Sequence, residues 1–165
     1  MGLTQQEGSV VSLSLSGGHM SLYSYYSFYL REKDGQVLFD VRCWVDNGDA
    51  NGYSHREIVL ENTVAAQEDM DALRVLCERY HLARRRETYQ KPKPGSGPFV
   101  RDAPTRNLDV RWDNGARLDA GIDFGNLDDL LAFFQALAVR IYETKPRPEG
   151  EIVSLPLFNG DHFVR

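Results

Sequence analysis

Apolar and polar residues alternate over Ser9–Ser16, where Val11, Leu13 and Leu15 interleave with Ser12, Ser14 and Ser16. A period of two marks a half-buried strand. Gly17-Gly18 ends it. Two more patterned runs, Met20–Glu32 and Gln36–Val45, flank Asp34-Gly35. That dipeptide suits a tight hairpin, whose central residues need positive φ. Turn length follows from facing. A two-residue turn pairs Lys33 with Gln36 and sets Leu30 opposite Phe39, Phe28 opposite Val41 and Tyr26 opposite Cys43. A three-residue loop opposes Phe28 to Asp40. Because a slip of one residue turns every side chain to the wrong face, the two-residue turn is predicted.

A second hairpin surrounds Asp113-Asn114-Gly115. Leu108, Val110 and Trp112 share one face, as do Leu118, Ala120 and Ile122. Here facing selects a three-residue loop, with Val110 opposite Leu118 and Leu108 opposite Ala120. Gly115 then supplies the left-handed residue of a bulge. On the outer face Arg111 meets Arg117, with Asp109 and Asp119 as diagonal neighbours able to relieve the repulsion.

Between the hairpins, Tyr53–Glu61 adds a strand through Ile58 and Leu60. A helix is predicted from near Ala66, with Met70, Leu73, Leu76, Cys77 and Tyr80 as its apolar stripe. Glu68, Asp69 and Asp71 suit its first turn and Arg84–Arg86 its end. A second helix starts at the N-cap Asn126, with Asp128 and Asp129 behind it. Leu127, Leu130, Leu131, Phe134, Leu137, Ala138 and Ile141 form its buried stripe, and Pro146 and Pro148 stop it. Glu151–Leu157 reads as a final edge strand, to which Pro156 confines it. Lys91–Pro104, rich in Pro, Gly and Ser, is a long loop inside one domain spanning 1–165. The order is strands, helix, strands, helix, a strand–strand–helix unit met twice. The fold class is α+β: an antiparallel sheet built from two hairpins, with both helices packed on one face.

Two segments carry a resemblance. They are Met70-Asp71-Ala72-Leu73 through Glu78-Arg79-Tyr80-His81-Leu82, and Leu108-Asp109-Val110-Arg111-Trp112-Asp113-Asn114-Gly115 followed by the Asn126 helix. The chain resembles a group of small bacterial α+β proteins of gut Firmicutes type. That group has no assigned activity, so the resemblance implies a fold and no chemistry.

Composition narrows the classes of function. The 165 residues are 42% hydrophobic, enough for a packed core, and carry a net charge of -5. Phosphate binding is driven by Lys and Arg, so direct nucleic-acid binding is not expected. The first residues, Met1-Gly2-Leu3-Thr4-Gln5-Gln6-Glu7, lack a basic stretch followed by an apolar one. No apolar run reaches the ~20 residues of a membrane span. The chain is read as cytoplasmic, with Cys43 and Cys77 as buried thiols.

Candidate chemistry is sparse. His19, His55, His81 and His162 stand at no metal-ligand spacing, and neither cysteine pairs with one of them as a nucleophile. Asn47-Gly48-Asp49-Ala50-Asn51-Gly52 has the glycine of a calcium loop. Its twelfth position is Ile58, which cannot supply the bidentate carboxylate. No metal or cofactor is therefore expected. Asp40, Asp46, Asp49, Asp109, Asp119 and Asp123 lie on or beside strands, where solvated faces account for them. Arg84-Arg85-Arg86, with Lys91 and Lys93 near, is the basic cluster; a helix-end charge run in water is the commoner reading, and contact with phosphate or an acidic partner is the functional one.

An aromatic set is the part that folding explains least. In the register above, Tyr23, Tyr25, Tyr29 and Trp44 point away from the helices, with Arg31 and Arg42 beside them. These residue types dominate interface hot spots. A terminal strand folded over them as a second layer is the competing reading. Two classes of function follow. One is a non-enzymatic binding protein acting through protein–protein contacts at Tyr23, Tyr25, Tyr29, Arg42, Trp44, Arg84, Arg85 and Arg86. A special case is a mobile-element inhibitor such as an anti-CRISPR protein that blocks a basic channel. The alternative is a small hydrolase-like enzyme whose site assembles distant Asp and His residues.

Overall fold

The computed structural model describes residues 7–18, 25–46, 55–92, 105–144, 157–159 and 162–164. Four strands come first: β1 (Val10–Gly18), β2 (Tyr26–Lys33), β3 (Gln36–Asp46) and β4 (His55–Ala65). Helices α1 (Gln67–Arg79) and α2 (Leu82–Thr88) follow. Then come β5 (Thr105–Trp112), β6 (Arg117–Ala120), a single 3₁₀ turn (Ile122–Phe124) and α3 (Asp128–Thr144). A small separate hairpin is made by β7 (Leu157–Asn159) and β8 (His162–Val164). The main sheet is antiparallel and six-stranded, in the order β4-β3-β2-β1-β5-β6.

The first hairpin has the register that facing predicts. Lys33 pairs with Gln36, Leu30 with Phe39, Phe28 with Val41 and Tyr26 with Cys43. Asp34 and Gly35 both have positive φ, at 53° and 78°, as this tight turn requires. The second hairpin also has its predicted pairing, Val110 with Leu118 and Leu108 with Ala120. Gly115 lies at φ 86°. Arg117 meets Asp109 at 2.6 Å and Arg111 meets it at 3.7 Å, so one carboxylate relieves both arginines. Asp119 is taken by Lys91 at 3.1 Å.

The sheet buries one face. Leu13, Leu15, Phe28, Leu30, Phe39, Val41, Leu108 and Val110 are all sealed under the helices. Phe134 of α3 packs against both Phe28 and Phe39, with ring centroids 5.5 and 6.0 Å away. Asn126 caps that helix as predicted, its side-chain oxygen accepting from the Asp128 amide at 2.7 Å. Asp69 does more than favour a helix dipole. It is only 7% exposed, accepts from the Ala66 amide at 2.9 Å and meets Arg140 of α3 at 2.5 Å, tying the two helices together.

Several expectations need correction. The first helix does not run through to Arg86. It breaks at His81, whose φ of 56° is left-handed. An unbroken helix would continue the Met70–Leu73–Cys77 stripe at positions 80, 81 and 84. The break lets Leu82 enter the core instead. Strand β6 stops at Ala120, so Ile122 is 47% exposed and Phe124 fills the buried place. The order of strands, helix, strands, helix holds, with α2 following α1; β5 adds beside β1 on the side away from β2, so the two hairpins are not neighbours in the sheet. Residues 151–156 of the expected last strand, and the stop at Pro146 and Pro148, lie outside the described residues. Leu157 belongs to β7, which pairs with β8. No helix among the described residues is long and apolar enough to cross a membrane.

Phe134→Ala should cost about 3–5 kcal/mol, since it empties a sealed aromatic stack. Urea denaturation reads this directly. An unchanged midpoint would mean that α3 does not pack on Phe28 and Phe39.

Candidate functional site

The outer face of the sheet is set by the same alternation that builds the core. On β2 the residues between the buried ones are Ser27, Tyr29 and Arg31, and on β3 they are Leu38, Asp40, Arg42 and Trp44. None of these is buried. The β2–β3 ladder ends at Tyr26 and Cys43, with Tyr25 just before it on one side and Trp44 just after it on the other. Tyr25 is 40% exposed and Trp44 is half-buried. Tyr29 lies under the Arg31 guanidinium, 4.6 Å from its ring centroid. Tyr23 falls outside the described residues.

Beside these aromatics is an open groove of about 330 Å³ across β2, β3 and β4, lined by Tyr25, Ser27, Asp40, Arg42, Val59 and Glu61, with Asn62 at its end. Small Ser27 gives it depth. Arg42 leans to Glu57 at 2.9 Å. Asp40 is held from two sides: Arg31 donates to it at 2.9 Å and the Asn62 amide at 2.6 Å. Arg31 also donates to the Asn62 side-chain oxygen at 2.5 Å. Asn62 sits in a β-bulge with φ 50°, a conformation that Asn tolerates better than most residues. The bulge brings a backbone amide to Asp40 and closes the groove. Val59, Glu61 and Asn62 were not among the residues that sequence alone singled out. Their place follows from the β3–β4 register and its bulge, which no local pattern in the sequence marks.

The basic run at the helix end divides. Arg85 lies 3.5 Å from the centroid of the Phe124 ring and donates to the Phe124 carbonyl. Arg86 covers the Trp112 ring at 4.6 Å and donates to the Glu7 carbonyl at 2.8 Å. Only Arg84 is exposed. The break at His81 turns Arg85 and Arg86 inward, where they anchor the loop before α3 and the segment before β1. The run is therefore not one open patch, and it does not join the aromatic face.

The chemistry-bearing groups are dispersed. Among the described residues no three His, Cys, Asp or Glu side chains gather to hold a metal ion. Asp109 is bracketed by arginines and Asp123 accepts from the Tyr89 hydroxyl at 2.6 Å. The calcium-like loop at 47–52 and His19 fall outside the described residues, as do the side chains of Asp46, His55 and His162. The chain matches no protein-family model, no curated protein and no solved structure.

Both thiols are buried, which pushes their pKa up to about 12. The exposed value is about 8.5. A proton held this way stabilises the fold fully below about pH 8.5, and that contribution is lost as pH rises towards 12. Iodoacetamide at pH 8 should therefore leave both thiols untouched in the folded protein and label them in urea. Rapid labelling without denaturant would show an open, ionised thiol instead.

Proposed function

We propose that this is a non-enzymatic protein-binding domain that docks its partner on the outer face of β2, β3 and β4. The observation that carries this reading is the co-location of Tyr25, Trp44 and the Arg42 groove on one open sheet face. Val59 and Val64, exposed at 38% and 62%, add apolar positions on the neighbouring strand, with Glu61 and Asn62 between them. Contiguous apolar surface rimmed by polar groups marks interaction sites. Tyr, Trp and Arg concentrate binding energy there. Tyr29 supports the patch from beneath Arg31. Arg85 and Arg86 are left out, because their guanidiniums are already engaged with the fold.

The charge of -5 suits a basic partner. An inhibitor of mobile-element origin, such as an anti-CRISPR protein seated in a basic channel, is one form of this proposal, supported by size and charge. A cytoplasmic setting accords with two unpaired, buried cysteines.

Replacing Tyr25 with Ser and Trp44 with Thr together tests the reading. Strand propensity survives at Trp44, and little core is removed. The double variant should melt within a few degrees of the parent. Its affinity for the partner captured by the parent chain from source-cell lysate should fall by about 2 kcal/mol or more, roughly thirtyfold. Unfolding of the variant would make the two rings core, and retained affinity would move the docking surface elsewhere.

A further inference from the structure

The groove holds one charge that its surroundings leave uncompensated. Arg42 is answered by Glu57, and Asp40 by Arg31 and the Asn62 amide. Glu61 is exposed on β4, and among the described residues no cation reaches its carboxylate. On the same face of β4, two residues before it, the exposed Val59 side chain lines the same groove. A carboxylate next to aliphatic surface matches a long basic side chain. Its alkyl stem packs on Val59 and its head group meets Glu61. An acidic side chain entering here meets Glu61 as a like charge.

Strand β4 adds a second element. It is an edge of the main sheet, paired with β3 alone among the described strands. An edge strand offers alternate backbone donors and acceptors to an extended segment. The bulge at Asn62 interrupts the regular ladder, leaving the stretch before it for pairing. Side chains of an added strand opposite Val59 and Glu61 would lie on the outer face, above the groove.

We infer that the groove receives a lysine or arginine side chain from an extended protein segment that pairs along β4. This rests on the outer face being the docking surface, and it names the chemistry of the partner.

Fluorescence anisotropy of labelled peptides about six residues long, alternating threonine with lysine or threonine with glutamate, tests it on the full chain. The lysine peptide should bind at least tenfold more tightly than the glutamate peptide. Glu61→Lys should reverse that order, and Glu61→Gln should weaken the lysine peptide severalfold. Glu78→Lys makes the same charge change on an exposed face of α1 and should leave binding unchanged. Thermal melts confirm that each variant is folded. No binding of the lysine peptide at about 1 mM, or equal effects of Glu61→Lys and Glu78→Lys, overturns the inference. A captured partner that is lost with the Tyr25 and Trp44 substitutions but kept by Glu61→Lys leaves the docking surface standing and overturns only the basic side chain.

Discussion

The register of the Asp34-Gly35 hairpin is the constraint on which the rest depends. Positive φ at both turn residues closes the chain in two steps and puts Phe28 across from Val41. A slip of one residue would carry one strand's apolar set to the wrong face. Each large side chain so exposed forfeits about 1.5–3 kcal/mol, against a typical total stability of 5–15 kcal/mol. Three or four such residues would forfeit about 5–12 kcal/mol, a loss on the scale of the whole. The stack of Phe28, Phe39 and Phe134 forms only in the observed register, so the seat of α3 depends on a turn far from it in sequence.

The same register fixes the surface proposed to bind. Tyr25, Trp44, Arg42 and Asp40 stand outward because Tyr26, Cys43, Val41 and Phe39 stand inward. The face is then shaped by β4, whose bulge at Asn62 delivers an amide to Asp40 and lets Arg31 bridge both residues. Asp40 and Arg42, adjacent in space and opposite in sign, are each committed to other partners. That division leaves Glu61 as the distinctive charge of the groove.

Both hairpins were legible in the sequence because their contacts are local and their period of two leaves one sensible facing. The Asn126 helix was legible because a cap and a long apolar stripe agree. The break at His81 was not, because a histidine in left-handed conformation has no local signature comparable to glycine. Arg85 and Arg86 therefore read as an open basic run, although the break turns them onto Phe124 and Trp112. Ile122 read as strand because its spacing fits, but the chain turns after Ala120 and Phe124 buries more surface. The placement of β5 beside β1 depends on pairing between distant segments, which periodicity cannot reveal. At the candidate site, alternation exposed the aromatics. The groove itself needed the β3–β4 register and the bulge.

The sequence contains two tryptophans, and they stand on opposite faces of the sheet. Trp112 is buried on the helix side, whereas Trp44 is half-buried on the outer side. Acrylamide quenching of Trp112→Phe, which retains Trp44, and of Trp44→Phe, which retains Trp112, measures how far the outer face is open to solvent. Trp44 should be quenched severalfold more steeply than Trp112 in the folded protein. Equal quenching, or steeper quenching of Trp112, would contradict an outer face left open for a partner.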